Sequence, residues 1–237
     1  MFFKLVRSHD IPLIYFSHKK FKTRLLPLRY AQGRNDRMGV RNNKKEGRND
    51  IAPTGEKDWR LKYDSEVNKR IGKFAPDLCV LAGYMLIVGK GLCRKYNMIN
   101  LHPALPGGPT GSWQEVIWKL IESKADKAGA MMHLVTPELD RGPVISYCVF
   151  PIEGKPFDRY WQKGKEDMLF QLIRQHELAR EFPLTIFTLQ ALSRGEVVIR
   201  DGEVVDARGK SIDGYDLSDR IDKVVKNKME QKEARLK

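Results

Sequence analysis

Leu78-Cys79-Val80-Leu81-Ala82-Gly83-Tyr84 and Met98-Ile99-Asn100-Leu101-His102-Pro103 decide the fold of this chain. The first is a continuous apolar run entered through Ala75-Pro76-Asp77. Such a run suits a parallel strand covered on both faces. The second is equally apolar except at Asn100 and His102, and Pro103 closes it. Between them, Gly89 to Tyr96 fits a short helix. Strand, helix and strand, spaced too widely for a hairpin, argue an α/β domain with a mostly parallel central sheet. In such sheets chemistry gathers at the carboxyl ends of the strands. That rule marks the residues after Tyr84, the pair Asn100 and His102, and the stretch Thr136 to Gly142.

The same reading extends in both directions. Upstream, Ile11 to Phe16 is a short apolar run that reads as a buried strand. Phe2 to His9 looks like the last turns of a helix, so the chain begins inside a βαβ pattern. Residues 22–56 are polar, basic and aperiodic, an insertion expected to make few buried contacts. From Lys57 to Phe74, Trp59, Leu61, Tyr63, Val67 and Ile71 recur at roughly helical spacing. Downstream, Pro103 to Gly111 holds three prolines and three glycines and is a shaped loop. Ser112 then caps a helix over Trp113 to Ser123, with Glu115 completing a capping box. Ala128 to Val135 and Val144 to Ile152 are strands. Phe157 to Gln175 and Phe182 to Arg194 read as two helices. Val197 to Val205 is a hairpin turning at Asp201-Gly202. A charged amphipathic helix follows Leu217. The expected organisation is one domain over residues 1–206 and a charged helical tail over 207–237.

The chain has 237 residues, 41% of them hydrophobic and 31% charged. This excludes collagen-like, low-complexity and wholly disordered classes. No apolar run approaches the roughly 18 residues of a membrane span. No signal peptide is legible at Met1-Phe2-Phe3-Lys4, so the expected compartment is the cytoplasm. Cys79, Cys93 and Cys148 are widely spaced and read as free thiols in that reducing compartment, without metal-ligand spacing. The net charge is +13, and Ser17 to Lys73 carries 17 Lys and Arg against 7 Asp and Glu. A basic excess of this kind attracts polyanions such as phosphorylated metabolites, folyl-polyglutamates or nucleic acid. A merely solvated basic loop has the same composition.

Asn100 and His102 are two apart on one strand and so share a face. Downstream, His133-Leu-Val-Thr-Pro-Glu-Leu-Asp140-Arg-Gly-Pro143 places a carboxylate in a turn-rich loop after another strand. A neutral amide donor, an imidazole and a carboxylate together suit attack by an amine on a carbonyl. The amide would meet the developing oxyanion, and the carboxylate would hold the imidazole cationic or take the proton of the amine. The spacing alone leaves structural roles open for all three, and for His133 a core role and a site role stand side by side.

Ala82-Gly-Tyr-Met85, Asn100-Leu-His-Pro-Ala-Leu-Pro106 and His133 to Ile145 together resemble the folate-dependent formyltransferases, most nearly the glycinamide ribonucleotide branch of purine synthesis. The resemblance covers about residues 5–18 and 75–205. It implies a Rossmann-like α/β fold with a mostly parallel central sheet, and Asn100, His102 and Asp140 as the catalytic trio. It implies 10-formyltetrahydrofolate as co-substrate, with no metal. Met85, Leu86, Ile87 and Val88 would flank the pterin, and Val135, Thr136 and Glu138 would bind the folate through their loop. Glu177 would bind the acceptor substrate, although its register to Phe182-Pro183 is one residue off the pattern. Relatives often carry Arg where Leu86 stands, and the loop after Pro103 is richer in glycine than theirs.

Family members begin with a strand, a Gly-Ser-Asn-type phosphate loop, a helix and a second strand. Nothing here matches those parts, so the chain is expected to be N-terminally incomplete, with Met1 internal to a longer ancestral protein. That expectation carries another, of self-association as a homo-oligomer through an exposed sheet edge. The expected partners are small-molecule substrates, with nucleic acid disfavoured and no membrane. Three readings remain beside formyl transfer to glycinamide ribonucleotide. One is transfer to another amine acceptor. Another is formyltetrahydrofolate hydrolysis. The third is a catalytically inactive binding protein that uses the basic segment on nucleic acid.

Overall fold

The computed structural model describes residues 54–81, 84 and 86–234. The readings placed on Phe2 to His9, on Ile11 to Phe16 and on most of the 22–56 insertion lie outside the described residues. So do Ala82, Gly83 and Met85. The chain divides into two compact units, residues 1–76 and 77–237.

In the first unit, helix α1 (Thr54–Ile71) continues into a 3-10 turn over Gly72–Phe74. It starts three residues before the expected Lys57. Trp59 and Tyr63 meet edge to face across one helical turn, and Glu66 pairs with Arg70 at i,i+4. Leu61 is exposed and does not belong to the apolar stripe that the spacing predicts.

In the second unit the main elements run β1 (Cys79–Leu81), α2 (Lys90–Lys95), β2 (Met98–His102), α3 (Trp113–Glu122), β3 (Lys127–Leu134) and β4 (Val144–Pro151). A 28-residue helix α4 (Glu166–Ser193) follows. Then come β5 (Val197–Arg200), β6 (Glu203–Asp206), β7 (Tyr215–Asp216) and α5 (Ser218–Ala234). The main sheet has the order β1-β2-β3-β4-β7. β1 pairs with β2 in parallel, the pairing expected around the β1-α2-β2 crossover. β2 with β3 and β3 with β4 are antiparallel, and β4 with β7 is parallel. The α/β, Rossmann-like class holds, and the described sheet is mixed. The reason lies in the loop lengths. Residues 135–143 are too few for a crossover helix, so β4 must return beside β3.

Two further differences have local causes. Helix α4 is one continuous helix where two were expected, because Pro183 sits inside it rather than ending it. Proline lacks an amide N–H, so one helical hydrogen bond is lost there, but the buried neighbours Leu184 and Thr185 hold the helix in place. The expected boundary at residue 206 is not a boundary. β7 adds to the sheet beside Ser146 and Tyr147, and Leu217, Ile221 and Val225 are buried in the same core as Ile99, Met132, Ile145 and Leu184. Their i,i+4 spacing forms the apolar face of the amphipathic helix expected after Leu217, and that face packs into the domain. A second apolar cluster, with Ile117, Phe150, Ile152, Phe170 and Ile173, lies between α3 and the first half of α4.

The hairpin β5-β6 turns at Asp201 and Gly202, both at positive φ, as an Asp-Gly hairpin requires. Cys79, Cys93 and Cys148 form no disulfide among the described residues, and burial pushes the Cys148 thiol up to about 11. No helix among the described residues is long and apolar enough to cross a membrane.

Candidate active site

Strand β2 ends at the site. Asn100 and His102 project from its same face, and β3 lies antiparallel beside it, with Asn100 directly opposite His133. Beyond β3, residues 135–143 form the loop that carries Asp140. Three backbone or side-chain links shape this loop. Val135 N–H donates to the Met98 carbonyl at 2.8 Å and Leu134 N–H to the Pro143 carbonyl at 2.9 Å. The Thr136 hydroxyl donates to the Glu138 carbonyl at 3.1 Å. Asp140 adopts a left-handed conformation, φ 54°, which Asp tolerates better than most residues. Two residues on, a Cβ at Gly142 would overlap the Leu134 carbonyl oxygen, so only glycine lets the loop close against β3.

This folding brings the predicted trio together. His102 is 3% exposed. Its Nδ1 lies 3.8 Å from Asp140 Oδ2, and its Nε2 lies 3.0 Å from the Pro109 carbonyl. That carbonyl belongs to the glycine-rich loop. There, Gly108 N–H donates to the Leu105 carbonyl at 2.8 Å around Pro106 and Gly107, the pattern of a type II turn. The loop is fastened again where Lys119 Nζ donates to the Thr110 carbonyl at 2.9 Å. It then enters α3 through the capping box predicted for Ser112 and Glu115. The glycines therefore turn the chain.

A fourth side chain joins the trio. His133 Nε2 lies 3.5 Å from Asn100 Nδ2 and 3.7 Å from Asp140 Oδ1. Burial pushes the His133 ring below the usual histidine range. The Leu134 carbonyl and Asp140 oppose that push, and His102 adds to it. The sequence left this histidine between core and site, and no spacing rule could decide. Only the antiparallel register places it opposite Asn100.

The other expected residues lie as follows. Leu86 is half-buried, Ile87 is 53% exposed and Val88 is 8% exposed. Met85 lies outside the described residues. Val135 and Thr136 are half-buried and Glu138 is exposed on the Asp140 loop. Glu177, expected to meet substrate, is instead fully enclosed in α4. Arg174 donates to its Oε2 at 3.2 Å and to Glu181 at 2.6 Å. Its Oε1 has no hydrogen-bond partner among the described residues. Burial pushes the Glu177 carboxyl up to about 8 against the pull of Arg174. Among the described residues no group of three or more His, Cys, Asp or Glu side chains is placed to hold a metal ion.

Phosphoribosylglycinamide formyltransferase of Escherichia coli (strain K12) is 36% identical over 101 residues, which make up 40% of this chain and 45% of that protein. The enzyme of the same name from Schizosaccharomyces pombe is 36% identical over 100 residues, covering 39% of this chain and 48% of that one. The chain thus spans about half the length of the curated relatives it matches. Among solved structures, glycinamide ribonucleotide transformylase 1 from Symbiobacterium toebii superposes with a TM-score of 0.50 at 25% identity, over 62% of this chain and 64% of that one. The family model described as formyl transferase matches residues 4–156, and that span runs through β2, the glycine-rich loop and the Asp140 loop. A match over well over half of its length makes this chain a member of the formyl transferase family.

Proposed function

We propose that the chain transfers a formyl group from 10-formyltetrahydrofolate to an amine, with glycinamide ribonucleotide as acceptor, in the cytoplasm. The observation that carries this reading is the convergence of Asn100, His102 and Asp140 at the end of β2 in a member of the formyl transferase family. In the reaction, the amine nitrogen attacks the formyl carbon and the carbonyl oxygen becomes an oxyanion. The Asn100 amide donates to that oxygen. His102, with the Pro109 carbonyl accepting at Nε2 and the Asp140 carboxylate 3.8 Å from Nδ1, contributes positive charge beside the oxyanion in its protonated form. Asp140 receives the proton of the attacking amine, directly or through a water. The tetrahedral centre then collapses: the C–N bond to the folate breaks, the departing folate nitrogen takes the proton held by Asp140, and tetrahydrofolate leaves. No step calls for a metal. Ile87 and Leu139, both more than half exposed on loops, offer apolar surface to the pterin.

The test is a transfer assay on the purified full chain with 10-formyltetrahydrofolate and a panel of amines. The expected product is N-formylglycinamide ribonucleotide. Asn100→Ala should slow its formation by roughly 100- to 1000-fold, the range for one lost oxyanion donor. Formate released without a formylated amine would replace this reading with hydrolysis. Salt-dependent RNA binding, without folate protection against heat, would replace it with a binding protein.

A further inference from the structure

His133 takes no part in the steps above, yet it touches two of the three groups that do. It is 2% exposed. Its Nδ1 lies 2.8 Å from the carbonyl oxygen of Leu134. A carbonyl can only accept, so Nδ1 carries a hydrogen. In the neutral ring Nε2 then carries a lone pair. That nitrogen faces the Asn100 amide at 3.5 Å, so the amide must present its NH2 there and not its oxygen. An Asn amide is otherwise free to face either way at almost no cost.

We propose that His133 is a positioning residue: as a hydrogen-bond acceptor at Nε2 it fixes the orientation of the Asn100 amide, so that a donor rather than a carbonyl faces the reacting oxygen. The catalytic consequence rests on the formyl-transfer reading, while the orientation itself does not. The local charges agree with it. The groups facing His133 are Asn100 and His102 from β2, Asp140 from its loop, and the Leu134 carbonyl. Asp140 touches both histidines, at 3.8 Å and 3.7 Å. Each ring has a backbone carbonyl at its other nitrogen, Pro109 for His102 and Leu134 for His133, and what separates the two is the Asn100 amide at His133 Nε2. A proton on His133 Nε2 would compete with the Asn100 N–H and sit 6.2 Å, ring to ring, from His102. His133 therefore stays neutral as the acceptor, the form that its burial also favours.

The two nitrogens can be tested separately. In His133→Asn the side-chain NH2 reaches the position of Nδ1, keeping the Leu134 bond and losing the acceptor. In His133→Gln the side-chain oxygen reaches the position of Nε2, keeping the acceptor and losing the Leu134 bond. The inference expects kcat of the Asn variant to fall roughly 100-fold, as for a lost oxyanion donor, with KM little changed. It expects the Gln variant to recover most of that loss. Equal losses, or a better Asn variant, would overturn it and leave His133 a structural residue. A second readout needs no turnover. Ring 15N NMR of the full chain should show His133 with Nδ1 protonated and Nε2 bare at pH 7. A bare Nδ1 or a charged ring would overturn the inference. If the wild-type chain transfers no formyl group, the function reading fails by itself, and the tautomer still decides this one.

Discussion

At the scale of single residues, the contrast between two buried ionisable groups sets what pH will do. Glu177 is enclosed in α4 with one carboxylate oxygen unpartnered among the described residues, and burial holds its carboxyl at about 8 instead of 4.5. The folded chain therefore binds a proton that the unfolded chain releases between those two values. Stability from this group is complete below about pH 4.5 and is lost as pH rises through about 8. Glu177→Gln removes the titrating proton and leaves an oxygen to accept from Arg174. Thermal melts at pH 9 should show the variant more stable than wild type, with the difference shrinking as pH falls towards 5. A constant difference at every pH would show that Glu177 is not held neutral. Gly142 makes a second residue-scale prediction. Its substitution by Ala drives a Cβ into the Leu134 carbonyl. The Leu134–Pro143 bond and the seat of Asp140 should be displaced, and transfer should fall much further than the melting temperature does.

At the scale of elements, what was legible and what was not divides along a physical line. Strand β2 matches its expected span of Met98 to His102, because an apolar run ended by proline admits few alternatives. The α3 start is equally local, for Ser112 and Glu115 satisfy each other's orphan donors within three residues. Ser112→Ala should therefore cost about 1 kcal/mol of stability, as lost N-caps do, measurable by urea denaturation with an unchanged slope. The continuity of α4 was not legible. Pro183 is a local breaker, and the packing of Leu184 and Ala191 into the sheet-side core, with the Thr188 hydroxyl bonded to Ser146 of β4, overrides it. Burial of Glu177 was missed for a related reason, since a carboxylate within one turn of Arg174, Arg180 and Glu181 has the sequence pattern of an exposed or binding face. For the site, the residue types and their order pointed to Asn100, His102 and Asp140. The part played by His133 needed the β2-β3 register, which no local pattern encodes.

At the scale of the whole molecule, the unit over residues 77–237 closes only when its C-terminal segment is in place. β7 pairs with β4, the Ser218 hydroxyl accepts from Val149 N–H at 2.9 Å, and Arg180 pairs with Asp222 at 2.9 Å. Leu217, Ile221 and Val225 fill the core between them. A chain ending at Asp216 should lose its cooperative melt and bind a hydrophobic dye. Ile221→Ala, a milder probe of the same contact, should cost about 2–5 kcal/mol. Should both leave the unfolding midpoint unchanged, the helix is an appendage after all. The +13 charge acts on another level, since it bears on encounter with anionic ligands and not on the fold. On the formyl-transfer reading, a net charge of this sign predicts that folate affinity falls as salt rises, more steeply for polyglutamylated than for monoglutamyl folate.

The opposition of Asn100 and His133 across two antiparallel strands also fixes when the site can come into being. Side chains alternate along a strand, so a slip of one position would turn His133 to the far face while leaving most backbone hydrogen bonds countable. A collapsed chain with the wrong alignment would thus look folded to circular dichroism and still be catalytically silent. During refolding, recovery of turnover should trail recovery of the far-ultraviolet signal by the time the sheet needs to settle its alignment.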